Sequence, residues 1–313
     1  MFVDLKRQYR NSLKSYDTEE NIDLAFYRPL GFAWAYLFRR LGVTPNVVTV
    51  ASIFLGVAAG VLFYFPDRGL TLLGILLLVW ANTFDSCDGQ LARLTGNYSK
   101  TGRILDGLSG DLWFFTIYVA ICLRENKLNP FFSEHTWVIW LLAVGAGICH
   151  AKQAAVADYY RQFHLFFVKG EGGSELDRAA DLRAQLRTLS WRHDFRKKIV
   201  LYFYKNYTDN QELLTPGMQR LRTIMADRWP HGHLPAAFVR DFRAASRPLM
   251  KYTNFLTFNW RSITIFITLL AGCPWMYFVL ELTVFNAVMA YLMWRHEGIC
   301  RNFANAIREG DYA

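Results

Sequence analysis

Six long apolar segments dominate the sequence, and polar stretches separate them. They lie at about 47–65, 70–87, 104–123, 137–157, 257–273 and 275–294. Each approaches the roughly 20 residues that a helix needs to cross a bilayer. The pattern predicts an all-α protein, a six-transmembrane-helix bundle, in preference to the buried helices of a soluble domain.

Two polar regions complete the predicted organisation. Residues 24–42 mix aromatic and leucine side chains with arginines, which predicts an N-terminal interfacial amphipathic helix. Residues 164–253 are too polar for a membrane, but their apolar residues recur at helical spacing, which predicts a cytoplasmic helical insertion. The expected domains are 1–43 (N-terminal cytoplasmic or interfacial segment), 44–163 (transmembrane helices 1–4), 164–253 (insertion) and 254–313 (transmembrane helices 5–6 and a cytoplasmic tail).

The charge distribution indicates the orientation. The net charge is +9, and residues 164–251 contain 16 Lys and Arg against 9 Asp and Glu. Because basic loops stay on the cytoplasmic side, both termini and the insertion are expected there, in an integral protein of the inner or plasma membrane. A positive net charge is also compatible with nucleic-acid binding, but no motif in the sequence supports it. We therefore expect no nucleic-acid partner.

Four carboxylates stand where two apolar segments meet: Asp85, Asp88, Asp106 and Asp111. An ionised carboxylate in hydrocarbon is costly unless it faces an interior cavity and is paired or bound to metal. Their oxygens are the hard ligands that Mg²⁺ or Mn²⁺ prefers. The alternative is a structural role, in which the carboxylates pair with neighbouring Lys and Arg side chains.

The residues around the first two carboxylates favour a phosphate ligand. Asp85 and Asp88 are three residues apart, so they share one face of a helix. Gly89 leaves room for a ligand or another backbone to approach. Arg93 supplies a fixed cation that can make a bidentate phosphate contact.

The whole string, DSCDGQLARLTGNYSKTGRILDGLSGD, resembles the signature of the CDP-alcohol phosphotransferase family, D-x2-D-G-x2-A-R-x8-G-x3-D-x3-D. The match runs from Asp85 through Asp106. The resemblance implies a six-helix membrane enzyme, a homodimer, with an active site open to the cytoplasm. Such enzymes transfer a substituted phosphate from a CDP-linked donor to an alcohol and release CMP.

The resemblance also implies a role for each matching residue. Asp85, Asp88 and Asp106 would be metal ligands, and Asp111 would be a further ligand and the base that deprotonates the attacking hydroxyl. The donor would contact Gly89 and Arg93, with Ser99, Asn46 and Thr49 as weaker candidates.

The signature departs from the family at its last acid. The family places it four residues after the third, which here is Gly110, whereas this chain has Asp111 one residue later. In a regular helix five residues turn a side chain by about 140°, which would point Asp111 away. We expect a π-bulge at Gly107 and Gly110 to restore its direction. The competing interpretation is that another group accepts the proton.

The acceptor is the least determined part of the sequence interpretation. His150 and Lys152, near the inner end of the fourth segment, could hold a phosphorylated or polyhydroxylated acceptor. This favours CDP-diacylglycerol as donor and inositol phosphate, or inositol, as acceptor, as in phosphatidylinositol phosphate synthases. The alternatives are a CDP-choline or CDP-ethanolamine type transferase acting on diacylglycerol or ceramide, and, from other classes, a cation transporter or a membrane scaffold.

Overall fold

In the computed structural model, residues 2–13, 15–98, 100–170, 176–230 and 232–312 are described, without the side chains of residues 2–5, 100, 101, 103, 104, 106 and 196. Every regular element in these ranges is a helix, which confirms the all-α prediction. The α-helices are α1 Phe2–Ser12, α2 Arg28–Arg40, α3 Pro45–Phe63, α4 Arg68–Thr95, α5 Lys100–Leu128, α6 Pro130–Glu134, α7 Thr136–Lys169, α8 Ala179–Thr188, α9 Phe195–Leu214, α10 Pro216–Arg228, α11 Ala236–Ser246, α12 Met250–Phe255, α13 Phe258–Leu270, α14 Met276–Leu280 and α15 Asn286–Glu309. π-Helical turns at Asp23–Tyr27 and Glu281–Phe285 lead into α2 and α15, and a 3₁₀ turn at Arg247–Leu249 leads into α12.

Helices long and apolar enough to cross a membrane account for five of the six predicted segments. Within the described residues they are Pro45–Phe63, Arg68–Thr95, Gly107–Leu128, Thr136–Lys169 and Met276–Glu309. The remaining segment, at about 257–273, contains α13, which has 13 residues. At 1.5 Å per residue that is about 20 Å, short of the roughly 30 Å of hydrocarbon.

Local signals in the sequence determine where the first spans begin and end. Helix α3 starts with Pro45 in its first turn, where a missing N–H costs nothing. The Asp67 carboxylate caps α4 by accepting a hydrogen bond from the Leu70 N–H at 2.8 Å. Helix α4 ends at Gly96, whose φ of 68° is left-handed and favours glycine.

The chain divides into two compact units, of which the first comprises residues 1–147 and 258–282. Close packing of α3 on α5 organises this unit. A Cβ at Gly56 would lie 2.1 Å from the Trp113 ring, and one at Gly60 would lie 2.8 Å from Thr116. Small residues four apart let two membrane helices approach closely, so these glycines set the distance between α3 and α5.

An ion pair lies in the interior of the same unit. Arg261 on α13 and Glu281 are 1% and 0% exposed, and Arg261 Nε lies 3.3 Å from Glu281 Oε1. The Tyr277 hydroxyl donates to Glu281 Oε2 at 3.1 Å, and the Tyr118 hydroxyl lies 3.1 Å from that of Tyr277. Pairing and hydrogen bonds make these buried charges tolerable inside an apolar bundle.

The second unit comprises residues 148–257 and 283–313, and it includes the region predicted as an insertion. Helices α8 to α12 occupy that region. Their presence agrees with the helical spacing of the apolar residues in this part of the sequence. Its core is rich in buried aromatic and aliphatic side chains, among them Phe163, Phe238, Phe242 and Leu292.

Candidate active site

The C-terminal part of α4 carries Asp85 and Asp88 one turn apart on the same side. Asp88 is only 4% exposed, and its Oδ2 accepts a hydrogen bond from the Thr49 hydroxyl of α3 at 2.5 Å. A hydroxyl donor stabilises the ionised form of a buried carboxylate and fixes its orientation. The structure thus brings two of the predicted site residues, Thr49 and Asp88, into direct contact.

Ser109 of α5 holds the second carboxylate. Its hydroxyl donates to Asp85 Oδ1 at 3.0 Å, and the serine is 2% exposed. The sequence interpretation missed this residue. Its signal was the spacing, because Ser109 lies three residues after Asp106 and therefore on the same face of a helix.

Helix α5 also carries the last two acids of the predicted site. It is a continuous α-helix from Lys100 to Leu128, so the expected π-bulge is wrong. No described atom lies within 4 Å of a Cβ built at Gly107 or Gly110, so the described surroundings of these glycines do not force an extra residue into the turn. The Asp111 side chain is exposed, and that of Asp106 lies outside the described part of the structure.

Gly89 and Arg93 form the side of the site that suits a phosphate. A Cβ at Gly89 would lie 3.5 Å from both terminal nitrogens of Arg93, so the guanidinium lies beside the bare glycine backbone. Arg93 Nε donates to the Ser12 carbonyl oxygen. One terminal nitrogen, Nη2, is buried and makes no hydrogen bond to the described protein atoms. That donor is available to an anionic ligand.

Residues near the N-terminus hold this part of α4 in place. The Gln90 amide is fully buried and donates to the Ser12 hydroxyl at 3.1 Å and to the Arg28 carbonyl at 3.2 Å. Arg28 donates to the Ser86 hydroxyl at 3.2 Å and pairs with Glu19 at 2.9 Å. These contacts orient the α4 face that carries Gly89 and Arg93.

The remaining predicted residues are placed as follows. Asn46 is half-buried in the first turn of α3. Ser99 lies outside the described residues. His150 is half-buried and Lys152 is exposed on α7, in the second unit, whereas the carboxylates belong to the first.

The donor set around α4 fits a divalent cation. Asp85 and Asp88 offer carboxylate oxygens from successive turns, and each is oriented by a hydroxyl from another helix. Carboxylate oxygens whose orientation is fixed by hydrogen bonds from neighbouring hydroxyls are typical of Mg²⁺ and Mn²⁺ sites.

A second group of potential ligands lies in the other unit. His296, Glu297 and Cys300 have ligand atoms within 4.8 Å of one another. The Glu297 carboxylate accepts hydrogen bonds from the Tyr160 hydroxyl and from the Gly217 N–H in the first turn of α10. These contacts join α7, α10 and α15, which accounts for Glu297 as a structural residue.

Membrane-length helices and an anchored pair of acids beside an arginine define an integral membrane protein with an enzyme-like polar site. Residues 42–164 match the family model described as CDP-alcohol phosphatidyltransferase. This segment of the chain is therefore similar to the CDP-alcohol phosphatidyltransferases. The matched segment contains α3, α4, α5 and most of α7, with every predicted site residue.

Two curated relatives carry the same name, archaetidylinositol phosphate synthase. The protein from Pyrococcus horikoshii is 39% identical over 83 residues, which cover 26% of this chain and 43% of the relative. The protein from Aeropyrum pernix is 34% identical over 92 residues, which cover 28% of this chain and 45% of the relative. The chain thus spans less than half the length of either relative.

Proposed function

We propose that this protein transfers a phosphatidyl-type group from a CDP-activated lipid, CDP-diacylglycerol or a close analogue, to inositol phosphate. The observation that carries the proposal is the arrangement on α4, where two hydroxyl-anchored carboxylates lie on the same helix as an arginine with a spare buried donor. The names of the two relatives support inositol phosphate over the other polar alcohols. Free inositol remains the second acceptor to test.

The chemistry is a displacement at the lipid-bearing phosphorus of the CDP-lipid. The acceptor hydroxyl oxygen forms a bond to this phosphorus while the bond to the bridging oxygen breaks, and CMP leaves with that oxygen. A divalent cation, when bound, neutralises charge on the diphosphate and on the departing CMP. Asp85 and Asp88 would hold the cation, with Asp106 as the expected third ligand.

Arg93 binds and orients the diphosphate in this proposal. Its Nε is engaged by the Ser12 carbonyl, which fixes the plane of the guanidinium, and its buried Nη2 is the donor that we assign to the diphosphate. The absence of a side chain at Gly89 lets a phosphate approach the α4 backbone. Both groups act on the donor and not on the acceptor.

The proton of the acceptor hydroxyl passes to Asp111 in our working hypothesis. The straight helix leaves Gly110 in the register that the family gives to this acid. If Asp111, one residue further on, is nevertheless the base, Asp111→Asn should lower kcat by about 10²–10⁴. Near-normal turnover of this variant would assign the proton to another group.

We further propose that the whole apolar segment at about 257–273, which contains α13 and the turn after it, forms a sixth span, and that the protein is a homodimer. Both termini and the active site would face the cytoplasm, because residues 164–251 are basic. Labelling of cysteines introduced into α8 in intact and in permeabilised cells measures the side of the insertion. Labelling of these cysteines in intact cells by a reagent that cannot cross the membrane would show that the insertion faces the outside. Mass determination of the purified protein in nanodiscs measures the number of chains, and a monomer would refute the dimer.

The function is tested by CMP release from the purified enzyme with Mg²⁺ or Mn²⁺. CDP-diacylglycerol is offered with inositol phosphate, inositol, glycerol phosphate or serine, and CDP-choline with diacylglycerol or ceramide. We expect metal-dependent release with inositol phosphate. Release only with CDP-choline would reverse the donor assignment, and release with neither donor would favour a transporter or scaffold.

A matched pair of variants separates chemistry from folding. Asp88→Asn should abolish CMP release while the protein level in the membrane is retained. Asp227→Asn, the same change at an exposed aspartate of α10, should leave release unchanged. Full activity of Asp88→Asn would refute the assigned site.

A further inference from the structure

Helix α9 carries large apolar side chains on its exposed side. Phe195, Phe203 and Leu213 are 55%, 67% and 77% exposed. At about 100° per residue they fall within about 80° of one another around the helix. We call these three residues the outer face of α9.

The opposite side of α9 is packed against protein through polar groups. Thr208 and Gln211 are 2% and 5% exposed, and Gln211 Nε2 donates to the Ala155 carbonyl at 3.1 Å. At the border of the outer face, the half-exposed Tyr207 donates its hydroxyl to Asp158 Oδ2 at 3.3 Å. A helix on a water-exposed surface has the reverse arrangement, with its apolar side packed inward.

The contacts with α7 fix where α9 lies along a membrane-spanning helix. The apolar run of α7 begins at Trp137, and about 20 residues cover the hydrocarbon, so it ends near Ala157. Ala155 and Asp158, the contacts of α9, stand at that end. These two contacts of α9 therefore lie at the end of the apolar run of α7, where the level of the lipid headgroups is expected.

The start of α9 adds groups that favour an anionic lipid surface. Arg192 and Lys197 are exposed, and Trp191 is 57% exposed. The Lys198 ammonium lies 5.0 Å from the centre of the Trp191 ring. Tryptophan and basic side chains concentrate at membrane interfaces, where the ring is half in lipid and the cation meets headgroup phosphate.

We propose that α9 is a membrane-surface helix whose outer face inserts into the headgroup and acyl boundary of the leaflet beside the inner end of α7. The occupant of this face is a bilayer that contains anionic lipid. The helix thereby anchors the second unit to the membrane at a point separate from the spans. The proposal stands whether or not the catalytic assignment holds.

The test is site-directed fluorescence on the full chain in nanodiscs that contain anionic phosphatidylglycerol. An environment-sensitive dye is attached to a cysteine introduced as Phe203→Cys or Leu213→Cys. The control is Thr223→Cys, on the exposed surface of α10. Fluorescence from dye bound to the native cysteines is measured on the unchanged chain and subtracted. The dyes at 203 and 213 should be quenched at least about twofold more by a shallow nitroxide lipid than the dye at 223. Aqueous iodide should show the opposite order.

Three results would overturn the proposal. Quenching by iodide at 203 and 213 equal to that at 223 would show a solvated face. Proximity between dyes on two chains without nitroxide quenching would show that a second copy covers it. Equal nitroxide quenching in neutral and anionic discs would refute the role of the basic residues.

Discussion

Replacement of Arg261 by Met should strongly destabilise the first unit. Met keeps much of the length of the side chain but removes its charge, which leaves the Glu281 carboxylate, 0% exposed, without its cation. Breaking a buried pair on one side costs about 3–5 kcal/mol. The Tyr277 hydroxyl still donates to Glu281, and one such bond to a charged group is worth about 1.5–3 kcal/mol, so the loss should fall near the lower end.

The double change Arg261→Met with Glu281→Gln should recover most of this loss. It leaves no unpaired charge, and the glutamine can still accept the Tyr277 hydrogen bond. Coupling between contacting charged residues is typically about 0.5–3 kcal/mol, and the upper half of that range is expected for a fully buried pair.

The assay is the free energy of unfolding of purified protein in detergent or bicelles, measured for the two single variants and the double variant. Arg308→Met, the same change at an exposed arginine of α15, is the matched control and should stay within about 0.5 kcal/mol of the parent. Arg261→Met with stability equal to that of this control would refute the reasoning. Additive losses in the double variant would show that the pair is not energetically coupled.

Three further changes probe the site and the packing beneath it. Ser109→Ala should lower the apparent affinity for Mg²⁺ by about 10–100-fold in a metal titration of CMP release, because it removes the hydrogen bond that orients Asp85. An unchanged titration curve would contradict this role. Arg93→Lys should raise KM for the CDP-lipid, because an ammonium cannot both meet the Ser12 carbonyl and present the planar fork, and a KM equal to that of the parent would count against the phosphate role. Gly56→Val should lower thermal stability, because its Cβ would overlap the Trp113 ring, and a midpoint within error of the parent would exclude the close approach of α3 and α5.

The parts of the fold that the sequence predicted are those set by local pattern. Continuous apolar runs produced the long helices, and Asp67 and Gly96 set the ends of α4. The segment at 257–273 was expected to be one long helix, but α13 ends at Leu270 and Gly272 has a left-handed φ of 74°. Hydropathy counted this turn as part of the span because its neighbours are apolar.

The site was predictable to the extent that it lies on one helix. Asp85, Asp88 and Arg93 are spaced to share a region of α4, and this spacing is visible in the sequence. The groups that orient them come from other helices. No local pattern distinguishes Ser12 from other serines, whereas the spacing of Ser109 from Asp106 was a signal that the sequence interpretation did not use. The π-bulge was wrong because glycine permits a bulge without requiring one, and the ordinary helix keeps all its hydrogen bonds.

The contact between Arg93 and Ser12 limits how far the proposed site can be transplanted on its own. The segment recognised by family similarity begins at residue 42, yet Arg93 Nε meets the carbonyl of Ser12, and Gln90 meets both Ser12 and the Arg28 carbonyl. A chimera that transplants residues 42–164 into a relative would carry the carboxylates but lose these acceptors. The guanidinium would then rotate freely. A chimera that is meant to keep the donor-binding geometry must therefore include the N-terminal helices together with the motif.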